Sequence, residues 1–557
     1  MLLKLLTHID FDNMKRFILP LFVTLIALFG FFLMEKNKII GTSKLKSYVQ
    51  KFNKSDDELY KQHIHNNQAF DFLNENIPLV DLPNKEIEET YYFRWWTFRK
   101  HIKSTDDGFV ITEFLPEVGW SMKHNTINCP AGHHIYEGRW LKNPKYISEY
   151  IDFWLNKSGE GIRQYSFWIA DAFLAFNNIH RNDSIMRKQL KSLINNYNEW
   201  EKIRKEKDKV LFFQYDDRDG MELTVSGRKL NNGTEIFGIE SVRPTINSYM
   251  YADAKAISKI SFVNNDKENG EKYELKAKEI KEEVQRRLWN KELNFFTVLP
   301  KKYNEITNPI SVRELIGYVP WYFNLPDDDP KFALAWKKVM DTTGFYAPVG
   351  LTVTEQSDPY FKISYEGHEC QWNGPSWPFA TTQTLKALSN FLNNYSENKT
   401  VNKNDYYNLL LQYSRQHKLE NENNEIVNWI DENINPYTGD WISRTRLKNW
   451  DNKGWSDEKG GVERGKDYNH SGFTDLILSD LIGIKPKLNS TIEINPLVPD
   501  EWDWFAVDNL YYQGEKFYLI WDRTGKKYNR GKGLKLFKDN ILVANSNKIQ
   551  KLTYVVR

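Results

Sequence analysis

One pattern dominates the chain: segments with apolar residues at i, i+3, i+4 and i+7 recur from about residue 91 to residue 484. That spacing puts an apolar stripe along one face of an α-helix. The segments include YISEYIDFWLNK (146–157), RQYSFWIADAFLAFNNI (163–179), IMRKQLKSLINNYNEWEKI (185–203) and INSYMYADAKAISKISFV (246–263). The series continues at 273–289, 332–341, 377–395, 403–419 and 472–483. The loops between them are long and rich in Trp, Gly, Pro and Asp, unlike the short connections of a simple bundle. No sequence repeat of about 20–50 residues is evident, which disfavours a helical solenoid. A closed ring of helical hairpins suits the pattern, with the long loops at one end building a pocket.

After Ile484 the texture changes. STIEINPLVP, FAVDNLYYQG, EKFYLIWDR, GLKLFKD, NILVANS and IQKLTYVV are short, β-rich and separated by turn residues. The expected organisation is therefore a leader over 1–35, a Lys-, Asn- and Glu-rich spacer with lead-in helices over 36–90, a helical catalytic domain over 91–485 and a small antiparallel β domain over 486–557. The leader is expected because Phe17–Met34 (FILPLFVTLIALFGFFLM) is uncharged and mostly apolar, with Lys15 and Arg16 before it. As a helix it reaches about 27 Å, near the lower limit for a bilayer. It reads as a secretory signal or as an N-terminal anchor, which makes the rest of the chain exported, periplasmic or extracellular. Cleaved and anchored forms both stay open, and any membrane contact is expected through residues 17–34 alone.

Composition narrows the partners. Lys and Arg number 76 against 74 Asp and Glu, spread along the chain, so no basic face for nucleic acid is expected. Two cysteines, Cys129 and Cys370, exclude a disulfide scaffold and read best as isolated thiols. Aromatics are 15% of the chain, with 19 Trp, which fits either a large core or flat surfaces for sugar rings. The common local signatures of metalloproteases, phosphate loops, nucleophile elbows and dinucleotide folds are absent. Asp216–Gly220 looks like a calcium loop, but in the EF-hand register Tyr215 and Ser226 fall where ligands are required.

Eight stretches, taken in order, resemble the six-hairpin clan of (α/α)6-barrel glycosidases, which includes processing α-glucosidases, trehalases and mannosylglycerate hydrolases. They are GRWLKNPKY (138–146), DGMELTVSG (219–227), LWNKELNFFTVL (288–299), RELIGYVPWYF (313–323), CQWNGPSWP (370–378), DENINPYTG (431–439), KDYNHSGFTDLIL (466–478) and INPLVPDEW (494–502). The resemblance implies a mainly α (α/α)6 toroid with a C-terminal β domain. It also implies a glycoside hydrolase, inverting and exo-acting, that releases a terminal sugar from an oligosaccharide or polysaccharide fragment. No cofactor is expected for that chemistry, with room left for a structural calcium ion.

Two carboxyls follow from the resemblance. Glu222 falls where the clan carries its general acid, usually Asp, and Asp219 stays a live alternative because of that departure. Glu432, in Glu432-Asn433-Ile434-Asn435-Pro436-Tyr437-Thr438-Gly439, falls at the general base. One carboxyl has to hold a proton near neutral pH and the other has to stay ionised. Expected substrate contacts are Trp120, Lys123, His124 and Asn125 in one loop, Trp372, Asn373 and Trp377 in another, and Asp467 and His470 before the last helix. Trp168 and Asp171 share a helix face by their spacing. Two other functions stand beside this one: a uronate lyase or epimerase using His124 with Tyr165, and a sugar-binding protein with a degenerate site.

Overall fold

The computed structural model describes residues 39–397 and 399–556. Phe17–Met34 lies outside the described residues; among those described, no helix is long and apolar enough to cross a membrane.

Twelve helices form two concentric layers. The outer ones are α1 (Lys85–His101), α3 (Lys145–Asn156), α5 (Asp183–Arg204), α7 (Lys267–Arg287), α9 (Pro330–Ala333, continued by a 3-10 turn Leu334–Lys338) and α11 (Lys403–Gln416). The inner ones are α2 (Ala131–Gly138), α4 (Ile169–Ile179), α6 (Pro244–Val263), α8 (Val319–Tyr322), α10 (Pro378–Asn394) and α12 (Phe473–Asp475, running into a π-helical turn Leu476–Leu481). Each inner helix packs on the next, from α2 to α4, α6, α8, α10 and α12, and α12 returns to α2, so the ring closes. This is the (α/α)6 toroid.

The inner helices need no polar face, and their sequences show it. In α6 nearly every residue from Pro244 to Ser261 is buried, and α10 is buried from Pro378 to Phe391. The outer α7 and α5 carry Lys and Glu on the water side and bury only a stripe. Trp168, just before α4, fills the ring interior. Its indole meets Tyr249 of α6 at 4.8 Å and Tyr322 of α8 at 5.5 Å between ring centres. Gly132 of α2 makes room for it, since a Cβ there would stand 2.3 Å from the indole. Trp336, in the turn after α9, stacks on Tyr318 at 4.3 Å and on Phe391 at 5.3 Å, wedging the short outer element against α8 and α10.

The β region holds a five-stranded antiparallel sheet ordered Leu79–Asp81, Trp504–Tyr512, Glu515–Asp522, Gly533–Lys538 and Ile541–Ser546. Its first strand comes from the expected spacer: Leu79 pairs with Asp508 and Asp81 with Ala506. Sequence patterning missed this strand because three residues are too few to show alternation. The spacer also carries the expected lead-in helices, Thr42–Lys54 and Ala69–Asn76. A second, three-stranded sheet joins Ile484–Pro486, Thr491–Ile494 and Leu552–Val555.

Replacing Trp336 by Ala is expected to remove a fully enclosed indole and cost about 3–5 kcal/mol. Urea unfolding of W336A against wild type measures it; a loss below about 1 kcal/mol would contradict the wedge.

Candidate active site

A cavity of about 420 Å³ opens at one end of the ring. Its walls come from the loops that lead into five inner helices: Glu113–Cys129 before α2, Gln164 and Tyr165 before α4, Asp217–Phe237 before α6, His368–Trp377 before α10 and Glu432–His470 before α12. The helix N-termini therefore face the pocket, as the long loops in the sequence led one to expect.

The loop carrying Glu222 is pinned at its base by the antiparallel pair Phe213–Tyr215 and Glu240–Val242. Inside it, Asp216 Oδ1 accepts from the backbone N–H of Asp217, Gly238 and Ile239, and Oδ2 accepts from Thr224 Oγ1. Gly220 takes φ +75°, and a Cβ there would lie 2.7 Å from Cys129 Sγ, so glycine is required at that turn. Leu223 also sits at φ 60°, unusual for a leucine, directly after Glu222.

Backbone hydrogen bonds join this loop to the one bearing Glu432. Trp372 N–H donates to the Glu222 carbonyl at 3.0 Å, and Ser376 and Ile434 exchange two bonds at 2.9 Å. Asn433 Nδ2 adds a bond to the Glu369 carbonyl at 2.9 Å. The segment 369–377 is thus the bridge between the two carboxyls. Past Glu432, Asn435 Oδ1 accepts from the N–H of Tyr437 and Thr438, and Gly439 takes φ +83°. That is the turn that Asn-Pro-Tyr-Thr-Gly encodes.

The two carboxyls meet opposite surroundings. Burial pushes Glu222 up to about 8, and the negative charges of Glu432, Asp217 and Asp216 add to it. Glu432 instead accepts from Arg464, whose Nε and Nη2 reach Oε1 at 2.9 and 2.6 Å. Arg464 is buried, donates also to Glu369 at 3.0 Å, and lies over the Trp120 ring at 4.8 Å. Arg464 and Lys459 hold Glu369 down to about 2 despite its burial. Asp431 accepts from the Glu432 N–H at 2.8 Å, and burial beside that carboxylate raises it to about 7.

Glu113 was not singled out in the sequence, which gives no motif around it. It lines the cavity, accepts from Tyr468 Oη at 2.6 Å and lies 3.3 Å from His470 Nε2. Burial pushes it up to about 8, against the Tyr468 hydrogen bond and with the charges of Glu432 and Glu222 adding. His470 Nδ1 is buried and has no hydrogen-bond partner among the described residues. A group at the cavity floor is thus left open for a ligand hydroxyl.

Of the residues singled out in the sequence, Glu222, Glu432, Trp120, Trp377 and His470 line the cavity. Trp372 stacks behind Trp377, with ring centres 4.5 Å apart and planes 15° from parallel. The other expected contacts stand elsewhere. Asp219 is buried against Arg243, 2.8 Å from Nε, and also accepts from Thr245. Lys123 and His124 both pair with Asp107, and Asn125 donates to the Pro116 carbonyl at 2.7 Å. Trp168 is ring core, and Asp171 accepts from Tyr136 Oη at 2.5 Å. Asn373 is buried with its backbone carbonyl accepting from Lys362, and Asp467 pairs with the buried Lys100. Tyr165 lines the cavity but His124 does not, so the pair needed for uronate chemistry is not assembled. Both cysteines are free thiols.

A ring of this kind with two carboxyls in an aromatic pocket is the architecture of a glycoside hydrolase. The family model of the mannosylglycerate hydrolase MGH1-like glycoside hydrolase domain matches residues 123–471, and the chain belongs to that family. The model of the glycosyl hydrolase family 65 C-terminal domain matches residues 487–539, within the β region. A solved structure named a sialidase is 38% identical with a TM-score of 0.82, over 92% of this chain and 45% of that one. The chain thus spans less than half the length of that relative. The GH63 mannosylglycerate hydrolase from Thermus thermophilus in complex with glucose is 11% identical, with a TM-score of 0.47, over 70% of this chain and 99% of that one.

Glu113 gives a pH signature. Folded, it keeps its proton to about pH 8; its ordinary value is 4.5. The folded state therefore loses stability relative to the unfolded chain as pH rises from 4.5 to 8, and no further above. In Glu113→Gln that loss is absent. The melting temperature of E113Q minus that of wild type is expected to climb between pH 5 and 8 and then level off; a difference independent of pH would contradict the assignment.

Proposed function

We propose that this chain is an inverting, exo-acting glycoside hydrolase with Glu222 as general acid and Glu432 as general base. The observation that carries it is the opposite electrostatic setting of the two carboxyls in one cavity. Glu222 keeps its proton near neutral pH, while Glu432 accepts two N–H bonds from a buried guanidinium, an arrangement that suits a carboxylate.

In the reaction, Glu222 gives its proton to the departing glycosidic oxygen as the bond to the anomeric carbon breaks. Glu432 takes a proton from a water whose oxygen forms the new bond on the opposite face. The released hemiacetal has the inverted configuration. Glu222 ends as a carboxylate and Glu432 as an acid, and exchange with solvent resets both. No cofactor enters this chemistry. The exo mode is supported by the size of the cavity, about 420 Å³, and by a lining in which Glu113, Trp377, Tyr468 and His470 are buried. A terminal sugar suits a pocket of this size. Export through Phe17–Met34 belongs to the same proposal and makes the substrate an extracellular or periplasmic oligosaccharide.

Oligosaccharides from plant and algal polysaccharides, assayed for released monosaccharide, test the class. Proton NMR of the first product formed tests inversion. Glu222→Gln is expected to lose about 10²–10⁴-fold in kcat/KM on natural linkages and far less on a dinitrophenyl glycoside of the same sugar, which leaves without acid help. Equal losses on both would contradict the acid role. Activity of wild type is expected to fall as pH rises through about 8, where Glu222 gives up its proton. An activity still undiminished at about pH 9.5, more than a unit above that value, would contradict it.

A further inference from the structure

The Glu432 carboxylate is held by two donors of unequal strength. Arg464 occupies Oε1 with two N–H bonds. Oε2 faces Cys370, whose Sγ is 3.1 Å away. Cys370 is on the cavity wall, in the bridging segment between the two carboxyls, and its own N–H donates to His368 Nδ1 at 3.1 Å. The sulfur is therefore fixed by the backbone that also fixes Glu222 and Glu432.

We propose that Cys370 is a positioning residue for the general base: its S–H donates to Oε2 of Glu432 and sets the direction in which that oxygen meets the attacking water. The inference rests on reading Glu432 as the base. A guanidinium takes basicity from Oε1, which leaves Oε2 as the oxygen that accepts the proton of water. A strong donor on Oε2 would take basicity from it as well. A thiol is a weak donor, so it orients the carboxylate at little cost in basicity. The thiol is also in the right form. Burial pushes it well above its ordinary value, the charges of Glu432, Glu222 and Glu369 push the same way, and Arg464 opposes them. Other titratable groups around the pair are Asp431, Glu113, Lys459, His368 and Tyr468.

Thiol reactivity reads this contact without any substrate. Iodoacetamide alkylates thiolates, so Cys370 in wild type is expected to react slowly at about pH 8, below the range where a free thiol ionises fully. Glu432→Gln removes the adjacent charge and is expected to speed alkylation at position 370 by about tenfold, one pKa unit, with peptide mass spectrometry as the readout. Cys129 lines the same cavity but its sulfur faces the Asp219 carbonyl and not Glu432, so its rate is expected to be the same in wild type and E432Q and serves as the internal control. An unchanged rate in folded E432Q would overturn the contact.

The positioning role is read from the acid limb of the kcat/KM–pH profile on the oligosaccharide that wild type cleaves. A donor stabilises the ionised base, so the limb is expected highest in Cys370→Ala, intermediate in wild type and lowest in Cys370→Ser. A merely structural role would scale the rate and leave the limb in place, and that result would overturn positioning even with the alkylation effect present. Full activity in E432Q would instead remove Glu432 as the base, while the alkylation result would still report on the contact.

Discussion

A single buried guanidinium organises this site. Arg464 joins Glu432 and Glu369, donates to the Lys459 carbonyl, and lies against the face of Trp120. Two carboxylates that close would repel each other and shed their charge in a pocket walled by aromatic rings. With the guanidinium between them, Glu369 stays charged and Glu432 gains two short hydrogen bonds. Three other buried acids at the site, Glu222, Glu113 and Asp431, have no guanidinium hydrogen bond and hold their protons to about 7–8. The opposite settings of Glu222 and Glu432 thus follow from where one cation sits.

The toroid makes that placement possible. Five of the six inner helices bring their lead-in loops to the same cavity, so residues remote in sequence converge there. Backbone pairing between the loops fixes their relative positions. The Trp372–Glu222 and Ser376–Ile434 backbone bonds tie the Glu222 loop, the bridge and the Glu432 loop into one unit. Stacking of Trp372 on Trp377 stiffens the bridge from behind. A displacement of about 1 Å at any of these contacts is enough to impair proton transfer.

Much of this was legible in the sequence. Helical spacing located most of the long helices but not α1 (Lys85–His101), and turn chemistry identified the Asn435–Gly439 bend. Ordered motifs pointed to Glu222 and Glu432, which do share the cavity. What escaped was what depends on distant partners. α2, eight residues long, shows too little periodicity to stand out, and the strand Leu79–Asp81 exists only because Ala506–Asp508 lies beside it. Glu113 and Arg464 belong to no local pattern, yet they shape the electrostatics. Polar and aromatic residues near the motifs read as substrate contacts, but Lys123, His124 and Asp467 are committed to ion pairs and Trp168 to the core. Among the tryptophans, Trp120 and Trp377 line the cavity, whereas Trp95 and Trp441 pack in the core. Proximity in sequence does not tell a pocket wall from the packing behind it.

The central claim is that Glu222 is a neutral carboxylic acid at physiological pH although it shares its cavity with the Arg464-bound Glu432. Infrared difference spectroscopy between wild type and Glu222→Gln, followed through a pH titration, isolates that one carboxyl. The expected result is a protonated-carboxyl band that is present near neutral pH, absent from the variant, and lost from wild type near pH 8. A Glu222 already ionised at about pH 6, within the range of an unperturbed carboxyl's full ionisation, would contradict it.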